Sequence, residues 1–258
     1  MKIVNIQKKK TYSIFEFDND KSILVDKYIA KNYDINQSVN LKQLLEENKE
    51  FSCDFAFNLS LNYLSIADRS VTQVRKYLFD KSIQYEAIDI VLARLAEYGY
   101  VDDERYTQNM VSSCTYELKS RKYIKNKLYE KGISVDLSEK YLQEYDDKTE
   151  SDIIHKLVHK ELRTLERFPL KMKKEKIYSK LCTKGFSSSS VMVALSELEE
   201  NEENDYTDYY NRLIEQKIRK LDIGSLSKDE IIYSLYSKLY SKGVTKESIE
   251  NYVYNIEE

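Results

Sequence analysis

One ten-residue pattern recurs four times along this chain, at Val74–Ile83, Ile124–Ile133, Ile177–Phe186 and Leu235–Val244, with spacings of 50, 53 and 58 residues. Each copy carries an apolar residue, a leucine four positions later (Leu78, Leu128, Leu181, Leu239), then lysine, then glycine or serine, then another apolar residue. Self-similarity at such a period marks a tandem array in which neighbouring units complete one another's core. The pattern reads as one helix stopping and another starting. Gly132, Gly185 and Gly243 suit the left-handed position that closes a helix, and the apolar residue after each suits its closing contact. Ser134, Ser187 and Thr245 follow and can cap the next helix through their hydroxyls. The first copy has Ser82 for glycine and Gln84 for the hydroxyl, which predicts a looser turn there.

The remainder of each unit is also helical. The chain holds one proline and five glycines in 258 residues, too few breakers for a barrel or sandwich. A helical run precedes each pattern (Phe55, Leu59, Tyr63; Tyr106, Met110, Cys114; Ile154, Leu157, Val158; Tyr206, Tyr210, Leu213). Another follows, as in Ala87, Ile88, Val91, Leu92, Leu95 or Val191, Ala194, Leu195, Leu198. The first 40 residues differ: Ile3–Ile6, Thr11–Phe17 and Ile23–Val25 read as three short strands. The expected fold is therefore mostly α, with tandem three-helix repeats at 51–98, 99–146, 147–201 and 202–258 forming an elongated curved array behind a small strand-containing module at 1–50. An open array of this kind is expected to be monomeric. Most of the 23 tyrosines sit at core spacing and are expected to pack.

Composition narrows the function. The formal net charge is -3, so nucleic acid can be met only through a local basic patch or beside a partner that holds it. Cys53, Cys114 and Cys182 are odd in number and far apart, which fits reduced thiols. No signal peptide or long apolar span is read, giving a cytoplasmic expectation with no membrane role. His155 and His159 share a helix face but lack a third ligand and read as solvated, so no metal is expected. No phosphate loop, dinucleotide fingerprint or nucleophile elbow is present; Ser187 to Ser190 have no histidine base. Neither enzymatic activity nor a cofactor is expected. In Gly99–Tyr106, Asp102 is placed to cap a helix whose positive first turn Asp103 and Glu104 favour, and Val101 to staple against Tyr106. Basic residues gather in two matching regions, Lys119, Arg121, Lys122, Lys125, Lys127 and Lys131, and Arg167, Lys171, Lys173, Lys174, Lys176, Lys180 and Lys184. Arg121, Lys122 and Lys125 fall on one arc of a helix, and recurrence on stacked repeats would give a basic stripe.

Gly99–Tyr106, the helix and turn from Lys119 to Ile133, and Leu64–Leu78 with Arg69, Ser70, Val74 and Arg75 together resemble the RecX family. The resemblance implies a bacterial cytoplasmic protein that binds the RecA filament on single-stranded DNA and restrains recombinase, ATPase and coprotease activities. The residues expected to meet partner or DNA are Arg75, Lys76, Lys119, Arg121, Lys122, Lys125, Lys127, Lys171, Lys173, Lys174 and Lys176. That family core has three repeats, and residues 202–258 read as a fourth. The alternatives are a sequence-specific DNA binder using helix-turn-helix-like repeats and a helical scaffold with no nucleic-acid role.

Overall fold

The structure is a computed structural model and describes residues 1–166, 168–198, 206–221 and 226–255. Arg167 and the expected boundary at residues 201 and 202 lie outside the described residues. The described residues are mostly α-helical and fall into two compact units, one of residues 1–114 with 124–144, the other of 115–123 with 145–258.

The first unit begins with an antiparallel sheet, β1 (Ile3–Lys8), β2 (Tyr12–Phe17) and β3 (Ser22–Asp26), in the order β1-β2-β3. Alternation in β2 buries Ser13, Phe15 and Phe17 while the other face stays partly wet. Strand β3 buries three consecutive residues because it faces two cores. Ile23 and Val25 join the sheet's own core with Phe15 and Leu44, whereas Leu24 joins that of the helices behind it. A short helix α1 (Lys27–Ala30) follows, then α2 (Leu41–Glu47), which contributes Leu44. Buried Asn48 fastens the sheet to the helices: its amide nitrogen donates to the Leu24 carbonyl at 2.7 Å, and its oxygen accepts from the Asp26 N–H at 2.8 Å.

Behind the sheet come α3 (Lys49–Leu64), α4 (Val71–Asp80) and α5 (Tyr85–Glu97), then α6 (Asp103–Tyr116), α7 (Arg121–Glu130) and α8 (Val135–Leu142). On α3 the expected apolar run is displaced. Ser52, Ala56 and Ser60 are the buried line, and Phe55, Leu59 and Tyr63 pack half-buried beside it. Small side chains let α3 lie close on α5, so the large ones cover the seam instead of filling it.

The second unit holds α9 (Asp147–Thr164), α10 (Leu170–Thr183) and α11 (Ser188–Ser196), then α12 (Thr207–Ile218), α13 (Lys228–Leu239) and α14 (Lys246–Tyr254). Helix α9 packs on both α10 and α11. Ile214, Ile232, Leu235, Leu239, Ile249 and Val253 form the core of the last three helices, with a 3-10 turn at Tyr240–Lys242 between α13 and α14.

The repeated turns close as the pattern requires. Gly132, Gly185 and Gly243 take φ of +77°, +89° and +80°. In each, the following apolar N–H returns to the leucine carbonyl, Ile133 to Leu128, Phe186 to Leu181 and Val244 to Leu239. Ser82 corrects the expectation of a looser first turn. It adopts φ +62° and closes the same ring, Ile83 N–H to Leu78 carbonyl at 3.2 Å. Ser134 and Thr245 cap α8 and α14, but the Ser187 hydroxyl turns to Ser189 and caps nothing.

The glycines also answer to contacts from elsewhere in the chain. Ser70 at the start of α4 donates to the Lys131 carbonyl, and a Cβ on Gly132 would sit 2.4 Å from Thr72. Ser120 before α7 donates to the Lys184 carbonyl, and a Cβ on Gly185 would lie 2.9 Å from its hydroxyl. Lys171 at the start of α10 donates to the Tyr240 carbonyl at 3.0 Å beside Gly243. Each turn thus seats on the start of the helix one pattern earlier. The first turn instead meets β3, through Leu24 N–H to the Ser82 carbonyl at 3.0 Å, where a side chain at position 82 has room.

Candidate interaction surface

The segment from Gly99 to Tyr106 is a joint. Asp102 caps α6 by accepting from the Arg105 N–H at 3.0 Å, as its spacing predicts. Asp103 does something the sequence does not announce: its carboxylate accepts from the Val71 N–H at 2.8 Å, so it caps α4 from outside that helix. Burial pushes the Asp103 carboxyl up and the Val71 hydrogen bond pulls it back. The Tyr106 hydroxyl donates to Gln73 at 3.2 Å, and Arg105 donates to the Gly99 carbonyl at 3.0 Å. Val101 is buried in the core of the first helices.

The expected contact residues are scattered in role. In the first unit, Arg75 pairs with Asp89 and Lys125 with Glu139, both at 2.5 Å, and Lys127 lies half-buried 3.9 Å from Cys114 Sγ. Lys76 is exposed. In the second unit, half-buried Lys119 reaches Glu117 at 3.7 Å, and its carbonyl accepts from the Tyr145 hydroxyl at 2.9 Å. Lys122 is exposed, but Arg121 is half-buried, one turn before buried Ile124, so the surface arc expected of Arg121, Lys122 and Lys125 holds for the two lysines only. Lys173 is buried against Tyr206, and Lys174 caps the end of α11 by donating to the Leu198 carbonyl at 2.8 Å. Lys171 lies over the Tyr240 ring and Lys176 over Phe168, both with exposed side chains.

Two further readings change. Only Tyr106 and Tyr145 are buried among the tyrosines, while Tyr98, Tyr100, Tyr116, Tyr129 and Tyr233 are among ten that are exposed. His155 is not merely solvated: its Nε2 meets Glu197 at 3.0 Å and its Nδ1 the Ser151 carbonyl at 2.8 Å. The protonated ring can donate to both acceptors at once, and the Glu197 bond accordingly raises the His155 pKa. Among the described residues no group of His, Cys, Asp and Glu is placed to hold a metal, and no helix is long and apolar enough to cross a membrane.

These features define a protein of tandem three-helix units headed by a small antiparallel sheet. A family profile described as the first three-helix domain of RecX matches residues 56–95. Regulatory protein RecX of Streptococcus mutans is 30% identical over 98% of this chain and 89% of its own length. That of Streptococcus sanguinis is 29% identical over 77% of this chain and 78% of its own. A crystal structure of regulatory protein RecX superposes with a TM-score of 0.53 at 23% identity over 76% of this chain and 99% of that one. RecX from Lactobacillus salivarius gives 0.53 at 27% identity over 58% and 97%. The chain belongs to the RecX family of regulatory proteins.

Proposed function

We propose that this protein binds the RecA filament on single-stranded DNA in the cytoplasm and modulates its recombinase, ATPase and coprotease activities. The observation that carries the reading is the likeness to a curated regulatory protein over nearly the whole chain. The tandem helix triplets support it, since repeat proteins of this kind commonly serve as binding surfaces. Of the expected contact residues, the exposed ones that pair with no carboxylate among the described residues, Lys76 in one unit and Lys122, Lys171 and Lys176 in the other, are those we assign to contacts with acidic groups of the filament. Lys173 is left out because its ammonium is turned inward to Tyr206.

Co-sedimentation tests the reading. RecA filaments formed on single-stranded DNA with a non-hydrolysable ATP analogue should carry the protein into the pellet, and DNA-free RecA should carry much less. Protein remaining in the supernatant at every filament concentration would contradict it. Binding to a defined duplex without RecA would favour the helix-turn-helix alternative.

A further inference from the structure

Helix α9 carries Lys156, His159, Lys160 and Arg163, all exposed. Their spacing of i, i+3, i+4 and i+7 sets them in one stripe, about 10 Å long at 1.5 Å per residue. Lys156, Lys160 and Arg163 pair with no carboxylate among the described residues. The contrast with Arg75, Lys125 and Lys174, whose charges are engaged within the protein, is direct. With Asp152 and His155 these side chains border an open groove of about 500 Å³. Among the described residues Asp152 is the one acid lining it, and Glu197 is occupied by His155.

Two alternatives explain the stripe less well. Cations favour the last turn of a helix, where the backbone dipole is negative, but Lys156 stands two turns before the end of α9. A protein-docking face needs apolar or aromatic anchors, and none of the large exposed apolar side chains belongs to α9. A row of cations that pair with no carboxylate among the described residues, and that has no large exposed apolar side chain on its helix, is suited to phosphates. Its three cations can each neutralise one phosphate of a strand.

We propose that the α9 stripe of Lys156, Lys160 and Arg163, with His159 between them, contacts the phosphodiester backbone of single-stranded nucleic acid. This assigns a strand-contacting face within the function proposed above and rests on that reading for its setting, although the contact itself needs no recombinase.

The test is anisotropy of a fluorescein-labelled oligothymidylate titrated with the full chain, with K156E/K160E/R163E, and with K8E/K9E/K10E as an equal charge change elsewhere. The α9 variant should bind at least about tenfold more weakly at low salt, and its log-log salt slope should fall by about two, from three phosphate contacts at 0.7 each. The control should stay within about twofold, and K156Q/K160Q/R163Q gives the same reading with less charge repulsion should the Glu variant melt early. Absence of binding by the native chain at low salt, or equal losses in variant and control, overturns the proposal. So does equally tight, α9-dependent capture of polyglutamate, which would assign the stripe to an acidic protein. Native inhibition of RecA with an inert α9 stripe would sink this site alone. Binding of the oligonucleotide through α9 with RecA untouched would sink the RecA reading alone.

Discussion

Ser120 Oγ donates a 2.7 Å hydrogen bond to the carbonyl of Lys184, joining the start of α7 to the turn that ends α10. Ser70 does the same for Lys131, and the close approach they create explains why the turn glycines cannot carry a side chain at equal cost. All three glycines have positive φ, for which an L-residue loses roughly 1 kcal/mol or more. Crowding then separates them, since the added Cβ would meet its neighbour at 2.4 Å for Gly132, 2.9 Å for Gly185 and 3.7 Å for Gly243.

G243A should therefore lose about 1 kcal/mol, G185A more, and G132A about 3 kcal/mol, the overpacking cost adding to the backbone cost. Urea unfolding of the three variants checks the order. S82G should gain up to about 1 kcal/mol, because Ser82 holds φ +62° without a neighbour that needs its side chain. Equal losses for G132A and G243A would show that the packing of Thr72 on Gly132 does not matter.

Asp103 is expected to be needed for its carboxylate oxygen and not for acidity at the start of α6. D103A leaves the Val71 N–H without its cap and should cost about 1 to 2 kcal/mol, whereas D103N, which keeps an acceptor, should cost less than half of that. If D103N is as damaging as D103A, the charge and not the cap is what the fold uses. Urea midpoints of the two variants decide it.

The His155–Glu197 pair gives a pH signature. The folded pKa of His155 is raised, chiefly by the hydrogen bond to Glu197. The stability it adds is therefore present in full below the unfolded value near 6.5 and is lost as pH rises through the folded value. The melting temperature of the native chain should exceed that of E197Q at pH 6, and the gap should narrow by pH 8.5. Histidine NMR titration should show one His reverting toward the ordinary value in E197Q. A gap that widened with pH would contradict the assignment.

The chain's own periodicity shows much of this fold, and its blind spots have one cause. Leu78, Leu128, Leu181 and Leu239 are buried where their spacing puts them, and the glycine turns close as their local chemistry requires. What spacing cannot show is a partner 60 residues away. Ser82 takes a glycine's conformation because β3 holds its carbonyl, and Asp103 caps a helix 32 positions upstream. The surface is harder still. Lys125 and Lys156 look alike in a string of letters, yet one is tied to Glu139 and the other to no carboxylate among the described residues. Burial of Ser52, Ala56 and Ser60 was likewise hidden, since small residues on a seam give α3 almost no apolar periodicity.

The proposed regulation of RecA is read most directly in the steady-state rate of single-stranded-DNA-dependent ATP hydrolysis by RecA. Turnover should fall progressively as this protein is added at or below the RecA concentration, while the protein alone should hydrolyse no ATP. Turnover that stays constant up to a several-fold excess over RecA, with the protein folded and monodisperse, would contradict it.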